Sequence, residues 1–425
     1  MKRILSLAIA AALSTSAFAE NIAIVGGKIL TQTEQGTIES GTVLIRDGKI
    51  QSVSEQGEVP DGYTRIDASG KVVTPGFIGA LTSLGLVEVS SWAGEVDSSV
   101  GDSAISHTGA ALDPSYAINP DSSLIDITRI EGFTTAGTSI ERTDLLFRGQ
   151  GAVISLDDDG QIVKNHSFMV VNMTGSAADE HGGSRTALWV LLESVLNEAS
   201  STSSVPSLTT TWEGINTRAD LQALKAVIDG SVPLFIQADR SADIRQVLAF
   251  KKRHPDIKLV LVHGAEAWRV ADELAAADIP VILDPQANLP SNFDQVGSTL
   301  HNAGRLEKAG VKVAIGIETH NIRLASQHAG NAVANGLSYE AGIASLTSVP
   351  AQILGVDDKV GALAPGLQAD VVIWSGDPLE VTEAAEQVFI DGEAIDMTSR
   401  QTRLRDRYLK VQANPNGETS HYVKP

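Results

Sequence analysis

The chain has 425 residues, 43% of them apolar, with 52 acidic side chains against 32 basic ones, a net charge of -20 and no cysteine. That apolar content supports a large folded core and excludes global disorder, and the acidic balance disfavours nucleic acid and anionic membrane as partners. Without cysteine there are no disulfides, thiolate metal sites or thiol catalysis, so any metal falls to His and carboxylates.

In chain order, residues 1–19 read as a secretory signal peptide. Lys2 and Arg3 precede an apolar run at 4–13, and Ala17-Phe18-Ala19 forms a small-residue cleavage pattern. The run is too short to span a bilayer, and no later stretch is long and apolar enough to do so. The mature protein is expected in the periplasm. Short strands follow. Ile22–Leu30 is apolar and β-branched, and 42–45 and 50–53 flank Asp47-Gly48, a hairpin signal. A matching pattern lies near the other end, where 370–374 and 388–390 precede Asp391-Gly392. Residues 20–73 and 362–399 are therefore expected to form one small composite β-sandwich.

Between them, over 74–361, short apolar runs alternate with amphipathic segments. The runs are Phe133–Thr138, 168–172, 232–237, Leu259–His263, 280–283 and 311–315. Continuous apolar runs suit strands buried on both faces of a parallel sheet. Thr217 with Asp220 makes a capping box before a helical pattern. Helices are also expected over 242–252 and 267–277, and as a final pair over 338–354 broken at Pro350. This alternation predicts an α/β chain with a (β/α)8 TIM barrel. A doubly wound open sheet is the alternative, weakened because no G-x-G-x-x-G follows the first strand. The tail, 400–425, gathers Arg400, Arg403, Arg405, Arg407 and Lys410 and reads as a solvated helix docked on acidic surface.

Val73-Thr-Pro-Gly-Phe-Ile-Gly-Ala-Leu-Thr-Ser-Leu-Gly85 resembles the first barrel strand of the amidohydrolase superfamily, in its imidazolonepropionase-like branch. Gly132-Phe-Thr-Thr, Gly149-Gln-Gly-Ala-Val-Ile154 and His263-Gly-x-Glu-x-Trp-Arg-Val-Ala-Asp-Glu-Leu274 are similar to the same branch. So are Pro350-Ala-x-Ile-Leu-Gly-Val and Gly361-x-Leu-x-Pro-Gly-x-x-Ala-Asp370. The resemblance implies a metal-dependent hydrolase of C–N bonds in cyclic amide, amidine or dipeptide-like substrates. It also implies a ligand set. The first-strand H-x-H falls on Leu81 and Ser83, the fifth-strand His on Gln237, the sixth-strand His on His263 and the water-orienting Asp on Glu318. Carbon cannot bind metal, and an amide oxygen is a poor zinc ligand beside imidazole. Lys164 precedes the fourth run and is not assigned as a bridging ligand.

Three ways of using these residues stay open. Glu318 as base with His263 as acid or ligand would retain hydrolysis. His263, Glu318 and His320 would make a single zinc site, the one cofactor option that the sequence leaves, with His107, Asp113, Asp179, Glu180 and His181 as further groups in reach of a barrel mouth. In the third, Leu81, Ser83, Gln237, His263 and Glu318 fill a metal-free pocket. The protein would then bind a small molecule, or serve as a non-catalytic subunit of a homo- or hetero-oligomer with an active homologue. Glu193 and Glu198 read as the solvent face of a helix over 188–196.

Overall fold

The computed structural model describes residues 21–55, 57–88, 96–101, 103–316 and 319–413, so the expected signal peptide lies outside the described residues. Eighteen strands are described. The N-terminal ones are β1 Ile22–Leu30, β2 Thr37–Arg46, β3 Lys49–Ser54, β4 Thr64–Asp67 and β5 Val72–Pro75. Then come β6 Phe77–Thr82, β7 Ser99–Val100, β8 Phe133–Thr138, β9 Arg142–Thr143, β10 Phe147–Ser155, β11 Ile162–Asn172 and β12 Leu234–Ala238. The last are β13 Leu259–His263, β14 Val281–Leu283, β15 Val313–Ile315, β16 Val371–Trp374, β17 Ala385–Ile390 and β18 Glu393–Ala394. The helices are α1 Ser123–Arg129, α2 Gly175–Glu180, α3 Arg185–Ser201, α4 Arg218–Ile228, α5 Ser241–Arg253 and α6 Ala271–Ala276. They continue with α7 Asn302–Lys308, α8 Ala325–Ala334, α9 Tyr339–Ala344, α10 Ser348–Leu354 and α11 Arg400–Ala413.

The two ends of the chain meet in one eight-stranded sheet, ordered β18-β17-β16-β5-β1-β2-β3 with β4 also on β1. The joint is β16 against β5, antiparallel from Val371↔Pro75 to Trp374↔Val72. The two hairpin signals also touch. Asp47-Gly48 and Asp391-Gly392 all have positive φ, as a two-residue turn of the favoured hand requires. A Cβ on Gly48 would lie 2.8 Å from the Asp391 carbonyl oxygen, and one on Gly392 would lie 2.8 Å from Gly48 Cα. Glycine is needed there for contact between opposite ends of the chain as well as for the turns.

The other eight-stranded sheet runs β15-β14-β13-β12-β11-β10-β8-β6, a nearly closed, TIM-like barrel. Its two edges are bridged by the turn after α9, where Ser345 O accepts from Ile315 N at 3.0 Å and Leu346 O accepts from Ile78 N at 2.7 Å. One strand departs from a regular (β/α)8 repeat. β10 is antiparallel to both β8 and β11, with no helix on either side of it. The tight return at 156–161, pinned by Gly160 N donating to Asp157 Oδ1 at 2.6 Å, sends the chain straight back, and a hairpin can only be antiparallel. Within the Gly149-x-Gly151 motif, a Cβ on Gly151 would sit 2.1 Å from the Phe168 ring. That glycine is a packing device between the two strands.

Alternation sorts the barrel side chains. Ile78, Val153, Phe168, Val170, Phe235, Val262 and Ala314 belong to one apolar cluster that fills the interior, with Phe168 and Phe235 stacked at 4.4 Å. Phe77, Val171, Ile236, Leu261 and Leu283 belong to the larger cluster shared with the helices. The capping box on α4 forms as read. Pro350 does not break the final helix pair. It lies in the first turn of α10, where its missing N–H has no intrahelical partner to lose, and the interruption falls at 345–347 instead. Helix α11 holds Arg403 3.7 Å from Asp126 of α1, and residues 414–425 lie outside the described residues.

Candidate functional site

The parallel strands end together at one rim of the barrel. Asn172 and His263 are the last residues of β11 and β13, while Asp239, Asp284 and Gly316 directly follow β12, β14 and β15. Arg148 reaches the same rim because β10 runs the other way and starts there. These residues line a cavity with two adjoining lobes of about 450 and 610 Å³. One lobe extends to Glu141, Arg142, Glu180, Asp284 and Thr299. The other extends to Asp179, Ser184, Arg185 and Phe293.

His263 carries backbone strain. Its φ is 73°, a left-handed conformation that costs a non-glycine residue of order 1 kcal/mol or more. Asp239 holds the turn that follows. Its Oδ1 accepts from Ala265 N at 3.0 Å, its carbonyl accepts from Glu266 N at 2.9 Å, and its Oδ2 accepts from Gln295 Nε2 at 3.1 Å. The same Oδ2 lies 3.9 Å from His263 Nδ1. Loss of solvent holds the His263 pKa below the ordinary imidazole value, against the attraction of Asp239; Arg148 pushes it down further and Asp284 up. His263 is therefore a neutral imidazole at pH 7. Asp284 is held by His328 of α8, whose Nδ1 donates to Oδ1 at 2.8 Å, and by Gln286 N at 2.8 Å. Burial pushes the Arg148 guanidinium down to about 10, with Glu141 opposing, Arg142 adding to the fall and Glu180 also opposing. It stays cationic at neutral pH.

The positions singled out from the sequence separate here. Leu81 is 1% exposed and belongs to the apolar interior cluster with Ile78, Ile282 and Ala314. Ser83 is equally buried, and its hydroxyl donates to Glu141 Oε2 at 3.4 Å. Gln237 is fully buried, two residues beyond Phe235 and so on the same strand face. Gly316 lines the cavity, while Glu318 lies outside the described residues. His320 is half-buried with Nε2 3.3 Å from Asn321 Nδ2. Burial lowers its pKa, and Glu141 opposes the fall. Among the described residues no three His, Asp or Glu side chains come together as a group that could hold a metal ion. A hydrocarbon, a hydroxyl and an amide at the three positions implied by the resemblance do not fit a two-metal centre.

Other candidates have structural partners. His107 is exposed, and its backbone N–H donates to the buried Asp220. Asp113 pairs with His166 at 2.7 Å. Lys164 Nζ donates to the carbonyls of Leu354 and Gly355 at the end of α10. Asp179 and Glu180 reach the cavity, one in each lobe, but His181 does not line either. Glu193 and Glu198 are not a solvent face. Glu193 accepts from Arg253 and His254 of α5, and Glu198 accepts from Ile215 N and Asn216 N. Sequence reasoning missed Arg148, Asn172, Asp239, Asp284 and His328. Asn172, Asp239 and Asp284 could have been found as polar residues at the C-terminal ends of apolar runs. Arg148 was missed because the turn at 156–161, which sets the direction of its strand, was not read from the sequence.

Residues 236–398 match the model of the amidohydrolase family. A curated relative, Amidohydrolase tasK of Hapsidospora irregularis, is 48% identical over 59 residues, which is 14% of this chain and 6% of the length of that protein. Among solved structures, an amidohydrolase from Thermotoga maritima MSB8 superposes with a TM-score of 0.77 at 24% identity, covering 88% of this chain and 99% of its own. A prolidase complexed with N-methylphosphonate-L-proline has a TM-score of 0.52 at 17% identity, over 88% and 99% of the two chains. A Xaa-Pro dipeptidase with bound methionine has a TM-score of 0.55 at 16% identity, over 88% and 100%. At these identities the superpositions establish a shared fold. Residues 236–398 are thus similar to the amidohydrolase family model, and the fold is that of these neighbouring structures.

Proposed function

We propose that this is an exported protein of the imidazolonepropionase-like branch that binds a small C–N-bonded molecule at its barrel mouth without two-metal hydrolysis. It acts as a binding protein or as the non-catalytic subunit beside an active homologue. The observation that carries this reading is Leu81, an aliphatic side chain 1% exposed in the apolar interior, at the position that the sequence resemblance assigns to the branch's first imidazole. Metal-bound water is a nucleophile because the cation lowers its pKa from 15.7 toward about 7, and that requires donors which Leu81, Ser83 and Gln237 do not supply. The names of the structural neighbours, prolidase and Xaa-Pro dipeptidase, support a dipeptide-like ligand. Lys2, Arg3 and the run at 4–13 support export.

A second reading, hydrolysis of a C–N bond by Glu318 and His263, is favoured by the strained His263 backbone at the mouth. Metal analysis of purified protein with and without a chelator wash separates the two. Metal-free protein whose melting temperature is unchanged by chelation supports the binding reading. Stoichiometric zinc lost together with an amidase activity overturns it and selects the second. Restoring Leu81→His, Ser83→His and Gln237→His together should create zinc affinity, and no gain in zinc binding would refute the placement of those positions.

A further inference from the structure

Among the described residues that line the two lobes, Phe293 is the one large apolar side chain; the rest are charged, polar or no larger than alanine. Ligand cavities usually recognise the apolar part of a molecule through hydrophobic and aromatic lining, so here that contact falls to a single ring. Phe293 opens one 3-10 turn, Phe293–Gln295, in the loop after β14. The turn is clamped on both sides. Asn292 Oδ1 accepts from Asp294 N at 2.8 Å, and Asp294 Oδ2 accepts from Gly175 N at 3.0 Å and Arg185 Nη2 at 2.5 Å. Gln295 Nε2 donates to Asp239 Oδ2 at 3.1 Å, and Gly297 N donates to Glu266 Oε1 at 2.8 Å. This fixed backbone carries a ring that is 93% exposed at the lip of the second lobe. Covering an aromatic side chain of this size is favourable, and a backbone already held in place loses little freedom when a ligand covers the ring. Leu289 and Val296 are also exposed on this loop but line neither lobe.

We infer that Phe293 recognises an apolar side chain of the small molecule bound at the second lobe. This rests on reading the mouth as a small-molecule site and makes Phe293 a specificity determinant within it. The ligand is then amphiphilic, with polar groups against the charged and polar lining and one hydrocarbon group against the ring. A dipeptide with one aliphatic residue has that character.

The test is calorimetric titration of the intact protein with two pairs of dipeptides, alanylleucine against alanylserine and leucylalanine against serylalanine. Within each pair only one side chain changes, from aliphatic to polar. Covering that aliphatic group with the ring corresponds to a preference of about 10- to 50-fold for the leucine peptide in at least one pair. Phe293→Ala takes nothing from the core, so it should leave the melting temperature unchanged and bring that pair to near-equal affinity. Phe293→Leu, apolar but smaller, should retain part of the preference. A purely structural Phe293 would instead lower the melting temperature on substitution and weaken both members of a pair alike, leaving their ratio unchanged. Binding without preference in either pair, or a preference that survives Phe293→Ala, would overturn the assignment while leaving the mouth a small-molecule site. A dimer broken by Phe293→Ala with the ratio intact would overturn it in favour of contact with a second copy. Failure of all four peptides to bind would refute the dipeptide-like reading and the assignment together. Zinc in the purified protein would sink only the metal-free reading.

Discussion

Replacing Asp239 by Asn removes a negative charge 3.9 Å from the His263 ring while keeping the carbonyl oxygen that Ala265 N needs. The new amide nitrogen faces Gln295 Nε2, a donor against a donor. Gln295 cannot turn its amide over without cost, because its Oε1 accepts from Ser291 N and Ser291 Oγ. Loss of one buried bond to a charged acceptor therefore costs about 2 kcal/mol of stability at pH 8. A second cost appears in acid. The folded His263 pKa lies below its ordinary value of 6.5, so the unfolded chain binds that proton more readily. The stability that neutral His263 provides is present above 6.5 and is lost as pH falls through the folded value. Asp239 is the main charge resisting that depression, and removing it deepens the acid-side loss. Two full charges at this distance attract by about 4 kcal/mol at an effective dielectric of 20. His263 is 37% exposed to the cavity, which reduces the coupling to about 1 kcal/mol. Denaturant unfolding of both proteins at pH 8 and at a series of lower pH values measures this. The variant should lose about 2 kcal/mol at pH 8 and more, by up to about 1 kcal/mol, at the pH where folded His263 takes up its proton. A loss that stays constant across the whole acid range would refute the electrostatic tie between Asp239 and His263.

Asp220 anchors the loop after the first barrel strand. Fully buried, it accepts from Ser106 Oγ, His107 N, Ala111 N and Thr217 N at 2.5–3.1 Å. Asp220→Ala should cost at least about 3 kcal/mol in denaturant unfolding, and a loss under 1 kcal/mol would show that water replaces it. Asp370 makes the opposite case. Burial raises its pKa to about 6, so ionising it opposes folding, and stability falls as pH rises from the ordinary value of 3.8 through 6. Asp370→Asn keeps an acceptor for Asp391 N and should be more stable than the parent at pH 7, by up to about 3 kcal/mol, and no more stable at pH 3. A variant that is less stable than the parent at pH 7 would mean that the ionised carboxylate is needed.

The elements themselves were legible wherever a local rule applied. The Thr217–Asp220 capping box, the two Asp-Gly hairpins and the apolar runs at Phe133–Thr138 and Leu259–His263 all formed at the positions read. Capping, turn chemistry and burial pattern act over a few residues, so a sequence window contains all the information they need. The direction of β10 was not legible. A strand buried on both faces has the same composition whether it runs parallel or antiparallel, and only the return at 156–161 decides.

The candidate site divides along the same line. Residue types at motif positions were enough to show that Leu81 cannot ligate a metal, since that is a property of carbon and needs no coordinates. Their surroundings were not contained in the motif. Ser83 answering to Glu141, Asp239 bracing the strained turn at His263, and His328 holding Asp284 join residues 44 to 58 positions apart where both partners are side chains. Only the closing of the barrel brings such pairs to one rim. Arg148 is the clearest instance, because its place at the mouth depends on one strand running backwards. The absence of cysteine and the net acidity limited which chemistry the chain could use from the first line of its sequence, whereas the tertiary structure decided which side chains share a cavity, because that depends on contacts across the barrel and not on neighbours along the chain.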